Sequence, residues 1–295
     1  MSTMELIKTL RDRTGAGLTD CKKALVECNE DLEKATDWLR EKGIAKAAKK
    51  ADRIAAEGLT TVVTDGNYGL ICEVNSETDF VAKNEKFVNF VNTIAKAMLD
   101  AKSTTVEDGM NAPCLDGTVA DYITSNTATI GEKLSLRRIT LLTKNDNDSF
   151  GCYLHMGGKI GTLCVLSNTD KTDVAKDVAM HIAAINPAYL NPSDIPTEEI
   201  TRERHIQQVA AQNDEKLKDK PAAALEKILD GKINKWKNEI SLTEQPFVKD
   251  PGTSVGKYVS QYGANVSSFV RYAVGEGMQK REENFAEEVA KQMQN

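Results

Sequence analysis

The sequence predicts an α+β protein with an N-terminal three-helix module, a duplicated α+β core with antiparallel sheets, a protruding helical hairpin and a C-terminal helix. Three observations lead to this fold class. Apolar residues recur three and four positions apart before residue 43, as on helices with one buried face. After Gly58 the pattern changes to β-branched runs around turn residues, which is typical of strands. A strand, turn and helix pattern then occurs twice.

Length and composition limit the classes of protein that fit. The chain has 295 residues, enough for about two domains. It carries 38 Lys and Arg against 44 Asp and Glu, a formal charge of −6, which argues against a protein that mainly coats nucleic acid. No apolar run is long enough to span a membrane, and the first residues lack the basic flank and apolar stretch of a secretory leader. We therefore expect a cytoplasmic protein.

The N-terminal module is predicted over 1–42 as three short helices. The second helix has a stripe at spacings of three, four and three, formed by Leu18, Cys21, Leu25 and Cys28. Residues 43–57 are rich in Ala and Lys and lack a strong apolar stripe, so we interpret them as a helical or flexible linker. The first core half follows at 58–145 and opens with a β-hairpin around Asp65-Gly66-Asn67.

A repeated motif predicts the duplication. The pattern G-x-x-G-x-[LI]-C, or one close to it, occurs at 66–72 and again at 158–164, and each copy is followed by Thr-Asp and then by Val-Ala-Lys at the start of a helix. We interpret this as a second related half, formed by 146–196 and completed by 241–278. Chance similarity of two strand and helix segments is the alternative.

Two helices are predicted between the parts of the second half, and one after it. Residues 197–240 fit an antiparallel hairpin whose apolar seam is buried either between the two helices or against another chain, with Thr197 as N-cap and Pro221 in a first turn. The last segment, 279–295, fits a helix whose Phe285, Val289 and Met293 share one side.

Motifs for catalysis and cofactors are incomplete. The six cysteines lack Cys-x-x-Cys spacing, the histidines lack an H-E-x-x-H arrangement, and free thiols are expected. Gly252 to Lys257 is one residue short of a P-loop, and Tyr258 replaces the required Ser or Thr. We therefore expect no cofactor and no metal, although a site assembled from distant residues stays open.

One turn carries an acid and a large aromatic where a strand leads into a helix, at Asn75 to Val81. Phe80 could head the apolar stripe of that helix. Asn84 fits poorly on the stripe and better as an N-cap, which would make Thr78 to Lys83 a separate turn and leave Phe80 pointing outward. Core and exposed positions for Phe80 both remain open.

Four segments resemble a known family. They are RDRTGAGLTDCKKAL at 11–25, EVNSETDFVA at 73–82, QPFV at 245–248 and VGEG at 274–277. The chain resembles bacterial or organellar elongation factor Ts. The resemblance implies a translation elongation factor, not an enzyme, that promotes exchange of GDP for GTP on elongation factor Tu without covalent chemistry. It implies binding to GDP-bound and nucleotide-free elongation factor Tu, with no membrane and no direct nucleic acid.

The resemblance also assigns residues to the interaction. It places Thr78, Asp79, Phe80 and Val81 near the Mg²⁺ site of the partner, where Phe80 would act as a wedge and Asp79 would anchor the turn. The three-helix module is similar to ubiquitin-associated domains, and the helical hairpin corresponds to a self-association element of some members. Partner contacts are implied for Arg11, Leu18, Thr19, Lys22, Leu134, His155 and Val248. For Leu18 a buried stripe, for Lys22 a solvated face and for His155 a hydrogen-bonded loop are the open alternatives.

Two other functions remain open at this stage. The basic residues Lys46, Lys49, Lys50 and Arg53 could serve an RNA-binding translation accessory protein, although such runs more often form a solvated helix face. A cysteine nucleophile would instead indicate an enzyme.

Overall fold

The computed structural model describes residues 2–14, 16–214, 217 and 221–279. The chain divides into two compact units, of which the first is formed by Met1–Leu141, Met156–Gly161 and Tyr272–Asn295 and the second by Leu142–His155 and Thr162–Arg271. The predicted C-terminal helix of segment 279–295 cannot be described, because residues 280–295 lie outside the described residues. The finer domain boundaries given above remain predictions.

Three helices form the N-terminal module, as the sequence predicts. They are α1 (Thr3–Thr14), α2 (Leu18–Glu27) and α3 (Leu32–Ala48). Their buried faces meet in a small apolar core that includes Leu10 and Cys21. Burial of these side chains stabilises a module that is too short to fold by helix propensity alone.

Two details of this module differ from the sequence pattern or sharpen it. Leu18 was expected in the buried stripe of α2, but it is 54% exposed. The reason is its position at the first residue of the helix, beyond the edge of the module core. The third helix continues to Ala48, so the first part of the segment 43–57 is helical.

The first core half combines a three-stranded sheet with helices. In chain order its elements are β1 (Glu57–Asp65), β2 (Tyr68–Ser76), α4 (Asp79–Ala82), α5 (Glu85–Asp100), α6 (Val106–Asn111), β3 (Pro113–Cys114), β4 (Gly117–Thr118), α7 (Val119–Ile130) and β5 (Ser135–Thr143). The strands β1 and β2 pair antiparallel, with Asp65 opposite Tyr68, which confirms the predicted hairpin. The sheet order is β1-β2-β5, and α5 buries Phe87 and Phe90 in the core beneath it.

The second core half repeats this arrangement. Its elements are β6 (Ser149–His155), β7 (Ile160–Ser167), α8 (Thr172–Ile185), α9 (Thr197–Gln212), α10 (Ala222–Ile240), β8 (Pro246–Phe247), β9 (Asp250–Ser254), α11 (Val255–Ser260) and β10 (Asn265–Ala273). The order β6-β7-β10 matches β1-β2-β5, and α8 packs against β6 as α5 packs against β1. The shared strand order and helix position agree with the predicted duplication.

The helices α9 and α10 form the predicted hairpin. Arg204 of α9 pairs with Glu226 and Asp230 of α10, which fits two antiparallel neighbours. The prediction of Thr197 as N-cap was wrong by one residue. Pro196 has the extended backbone of an N-cap and Thr197 is already helical, because the helix begins directly after the proline. Pro221 likewise precedes the first turn of α10 as its N-cap.

Candidate functional site

The turn between β2 and α5, residues 77–84, is a separate structural element, named here the Phe80 turn. Thr78 caps the four-residue helix α4, because its Oγ1 accepts a hydrogen bond from the Val81 N–H at 3.4 Å. Asn84 caps α5 through a bond from the Lys86 N–H at 2.9 Å, as predicted. The break between the two helices removes Phe80 from the apolar face of α5. Its side chain is 83% exposed, which decides between the two positions left open by the sequence.

The base of this turn is fixed by a carboxylate that is distant in sequence. Glu132 accepts hydrogen bonds from the N–H groups of Glu77 and Thr78, at 3.1 and 3.0 Å, and from the Thr78 hydroxyl at 2.6 Å. In return, Glu77 accepts a bond from the Lys133 N–H at 2.6 Å. Glu77 also pairs with the guanidinium of Arg53 at 3.2 Å. These hydrogen bonds and the ion pair therefore fix the base of the turn, while the Phe80 side chain faces solvent.

Asp79 makes its ion pair within its own short segment. Its carboxylate pairs with Lys83 on the same short segment at 2.6 Å. This hydrogen bond from Lys83 holds the pKa of Asp79 below its ordinary value, so the side chain is ionised at neutral pH. The cap comes from Thr78 and the cross-link from Glu132, a residue that no local motif marked. Val81 is half-buried and packs against the core of the first half.

The implied contact residues of the N-terminal module lie at its surface. Arg11 of α1 and Thr19 and Lys22 of α2 are exposed, together with Leu18. Exposure of Leu18 removes the alternative that it is a core residue. These side chains are available to a partner, and the first unit contains both them and the Phe80 turn.

Leu134 is buried in the free chain. The resemblance implied a partner contact, but Leu134 is only 5% exposed and packs in the core of the first half. Its N–H donates to the Thr127 hydroxyl at 3.4 Å. An apolar side chain that already fills the interior offers no surface, so we assign Leu134 a packing role.

The remaining two implied contacts lie in the second unit. His155 is exposed at the end of β6, where its Nδ1 lies 3.4 Å from the Tyr153 hydroxyl. Val248 is 41% exposed and follows β8. Its N–H donates to Nδ1 of the buried His181 at 3.2 Å, so the other ring nitrogen, Nε2, carries the proton and donates to the Gln245 side chain at 3.0 Å.

The hydrogen bond from the Val248 N–H to Nδ1 of His181 needs a neutral imidazole ring, so it predicts that stability depends on pH. Burial lowers the pKa of His181, which means that folding favours the neutral ring. The stability is present above the unfolded pKa of about 6.5 and is lost as the pH falls through the lower folded value. We expect the free energy of unfolding to decrease below about pH 6.5, and His181→Asn to remove much of that dependence. Urea unfolding across this range checks it. His205→Asn, at an exposed site, is the control and should keep the wild-type curve.

Two observations on the described residues concern metal ligands and thiols. Among them, no group of three or more His, Cys, Asp or Glu is placed to hold a metal ion. Burial raises the pKa of Cys72 to about 12 and of Cys152 to about 11, so these thiols carry no nucleophilic thiolate at neutral pH. No described helix is both long and apolar enough to cross a membrane.

The basic residues considered for RNA binding are partly engaged within the protein. Lys46 pairs with Asp20 at 2.9 Å, and Arg53 pairs with Glu77. Burial lowers the pKa of Lys50. A phosphate backbone would compete with Asp20 for Lys46 and with Glu77 for Arg53.

Comparison with protein families decides the identity. Residues 77–276, more than half of the chain, match the family described as Elongation factor TS. The chain belongs to the elongation factor Ts family. Residues 1–48 match a second description, Elongation factor Ts, mitochondrial, N-terminal, and that match ends at the last residue of α3. Membership makes this elongation factor Ts chain a translation factor of the nucleotide-exchange type. The Phe80 turn and Glu132 both lie within the first match.

Proposed function

We propose that this chain binds elongation factor Tu in its GDP-bound and nucleotide-free forms and promotes exchange of GDP for GTP by disrupting the Mg²⁺ and phosphate site. The observation that supports the proposal is the exposure of Phe80. This aromatic side chain is 83% exposed on a turn whose base is fixed by hydrogen bonds to Glu132. A large apolar side chain held in water on a rigid turn gains free energy only when a partner covers it.

The mechanism follows from linkage. A GTPase holds GDP by a backbone cradle, a lysine and Mg²⁺, so release is faster when another protein stabilises the state in which those contacts are broken. If this chain weakens GDP binding by some factor, GDP must weaken binding of this chain by the same factor. Such a factor needs contact surface and no reactive side chain.

The wedge alone supplies a limited free energy. Burial of one Phe side chain supplies about 1.5–3 kcal/mol, equivalent to about 10- to 150-fold in an equilibrium constant. We therefore assign further contacts to the exposed residues implied by the family. On the N-terminal module these are Arg11, Leu18, Thr19 and Lys22, and on the second unit His155 and Val248. Leu134 is excluded because it is buried.

The direct test is release of fluorescent GDP from elongation factor Tu in a stopped-flow instrument. We expect the chain to accelerate release in proportion to its concentration until a plateau. Calorimetric titration of nucleotide-free elongation factor Tu should detect a complex, and excess GDP should weaken it. Absence of both acceleration and complex formation would reject the proposal.

We also propose that the α9 and α10 hairpin mediates homodimerisation. Ile206 and Val209 lie three positions apart on α9, and both are exposed. A second copy could bury them against the same face. We expect sedimentation equilibrium to show a concentration-dependent dimer that Ile206→Glu with Val209→Glu abolishes. A wild-type chain that stays monomeric at high concentration would contradict this.

The cellular location belongs to the proposal as well. We expect the cytoplasm, in a cell with bacterial-type translation. The description of the N-terminal family match names a mitochondrial protein, which makes the mitochondrial matrix the alternative. The six free cysteines fit a compartment that keeps thiols reduced. Immunofluorescence of the native protein in its own cells distinguishes the two.

A further inference from the structure

The loop after α7 reaches the base of the Phe80 turn from a distant part of the sequence. Gly131 ends α7 with a φ of 90°, a left-handed conformation that favours glycine and turns the chain sharply. This turn presents Glu132. Its carboxylate contacts Glu77 and Thr78, which precede it in the chain by 55 and 54 positions.

The chemistry of the contact suits a clamp. One carboxylate accepts two backbone N–H groups and one hydroxyl, at 3.1, 3.0 and 2.6 Å. Hydrogen bonds to an ionised acceptor are shorter and stronger than neutral ones. The Thr78 hydroxyl that donates to Glu132 is also the group that caps α4. The carboxylate therefore fixes the backbone of the turn and the orientation of its capping side chain together.

The turn also binds the loop that follows α7. Glu77 is almost buried and accepts a hydrogen bond from the Lys133 N–H at 2.6 Å. The ammonium of Lys133 donates to the backbone oxygens of Ala51 and Arg53, at 2.6 and 3.0 Å. Glu132 thus binds the backbone of the Phe80 turn, and Glu77 of that turn binds the backbone of the loop after α7. A hinge motion of the turn would have to break several of these bonds at once.

We propose that Glu132 is a positioning residue for exchange, which sets the direction of Phe80 without contacting the partner itself. This inference rests on the proposed function of the turn. A wedge on a loose turn would yield when pressed against the partner, and the contact energy would bend the turn. A wedge on a braced turn transfers that energy to the partner's nucleotide site.

The test compares Glu132→Ala and Glu132→Gln with Glu107→Ala, an exposed acid on α6. In the free full-length chain, we expect hydrogen exchange at the Glu77 and Thr78 amides to be at least about tenfold faster in Glu132→Ala. Glu132→Gln keeps an acceptor oxygen and the side-chain length, so its amides should exchange at an intermediate rate. Glu107→Ala should match the wild type.

The same variants are then measured for GDP release from elongation factor Tu. We expect Glu132→Ala to lower the plateau rate by about tenfold, with Glu132→Gln between it and the wild type. Combining Phe80→Ala with Glu132→Ala should add little further loss, because the clamp acts through Phe80.

The outcomes separate the two proposals. Unchanged amide exchange in Glu132→Ala, or losses that simply multiply in the double variant, would overturn the positioning role while the exchange activity of the wild type stands. A wild-type chain that does not accelerate GDP release would reject the proposed function and the positioning role together. Intermediate behaviour of Glu132→Gln guards against misfolding of the alanine variant.

Discussion

Replacement of Phe80 by alanine is expected to reduce the acceleration of GDP release by about 10- to 100-fold while leaving the fold intact. The side chain is 83% exposed, so truncation creates no cavity in the free protein. The lost free energy appears only in the complex, where the ring would be covered. Because the cap by Thr78 and the clamp by Glu132 remain, the backbone of the turn keeps its position.

A matched control separates this effect from general loss of apolar surface. Leu115 is 74% exposed in the turn between β3 and β4, and it also projects a large apolar side chain into water. Leu115→Ala should leave the GDP release rate within about twofold of the wild type. Urea unfolding should give both variants a free energy of unfolding within about 0.5 kcal/mol of the wild type. Full activity in Phe80→Ala would remove the wedge from the mechanism.

The sequence predicted the turn that carries Phe80 because one polar residue interrupted the apolar pattern of a helix. Asn84 on an otherwise apolar face indicated a helix start, and the structure places it as the N-cap of α5. The exposure of Phe80 could not be predicted in the same way, because its spacing to Val91 fits a continuous helix equally well. Only the break between α4 and α5 decides its environment.

Other features depended on contacts that periodicity does not encode. Leu18 has the spacing of a buried stripe, yet the module core ends before it. Leu134 matches a family contact position, yet the chain buries it. Glu132 has no local signal, because its partners are more than 50 positions away and the contact is made by the loop that follows α7. Local patterns specify elements, whereas tertiary packing specifies which side chains reach solvent.

The largest stability effect is expected for Glu73 of β2, a charged residue with no exposed surface. Its carboxylate pairs with Arg137 at 3.0 Å and with Arg138 at 2.7 Å. It also accepts hydrogen bonds from the Gly275 N–H at 2.9 Å and from the Asn75 side chain at 3.0 Å. One carboxylate thus contacts two guanidinium groups and joins β2, β5 and the chain after β10.

Glu73→Ala should lower the free energy of unfolding by about 3–5 kcal/mol. Removal of the acid deprives the partly buried guanidinium groups of Arg137 and Arg138 of the carboxylate that they share. Glu73→Gln retains the shape and an acceptor oxygen, so its loss should be smaller. Glu41→Ala, on the exposed side of α3, should change the value by no more than about 0.5 kcal/mol. Chemical denaturation followed by circular dichroism measures all three. A loss below about 1 kcal/mol in Glu73→Ala would show that the cluster is not a stabilising centre.

The pH dependence of this cluster has a defined sign. Burial alone would raise the pKa of Glu73, but the hydrogen bonds from Gly275, Asn75 and Arg137 and the charge of Arg138 lower it below the ordinary value. The unfolded chain therefore binds the proton more readily than the folded chain. The stabilisation is present above the unfolded pKa of about 4.3 and is lost as the pH falls through the lower folded value. Glu73→Gln cannot titrate, so its unfolding free energy should fall less steeply in this acid range than that of the wild type. Equal slopes for the two proteins would place the acid sensitivity in other carboxylates.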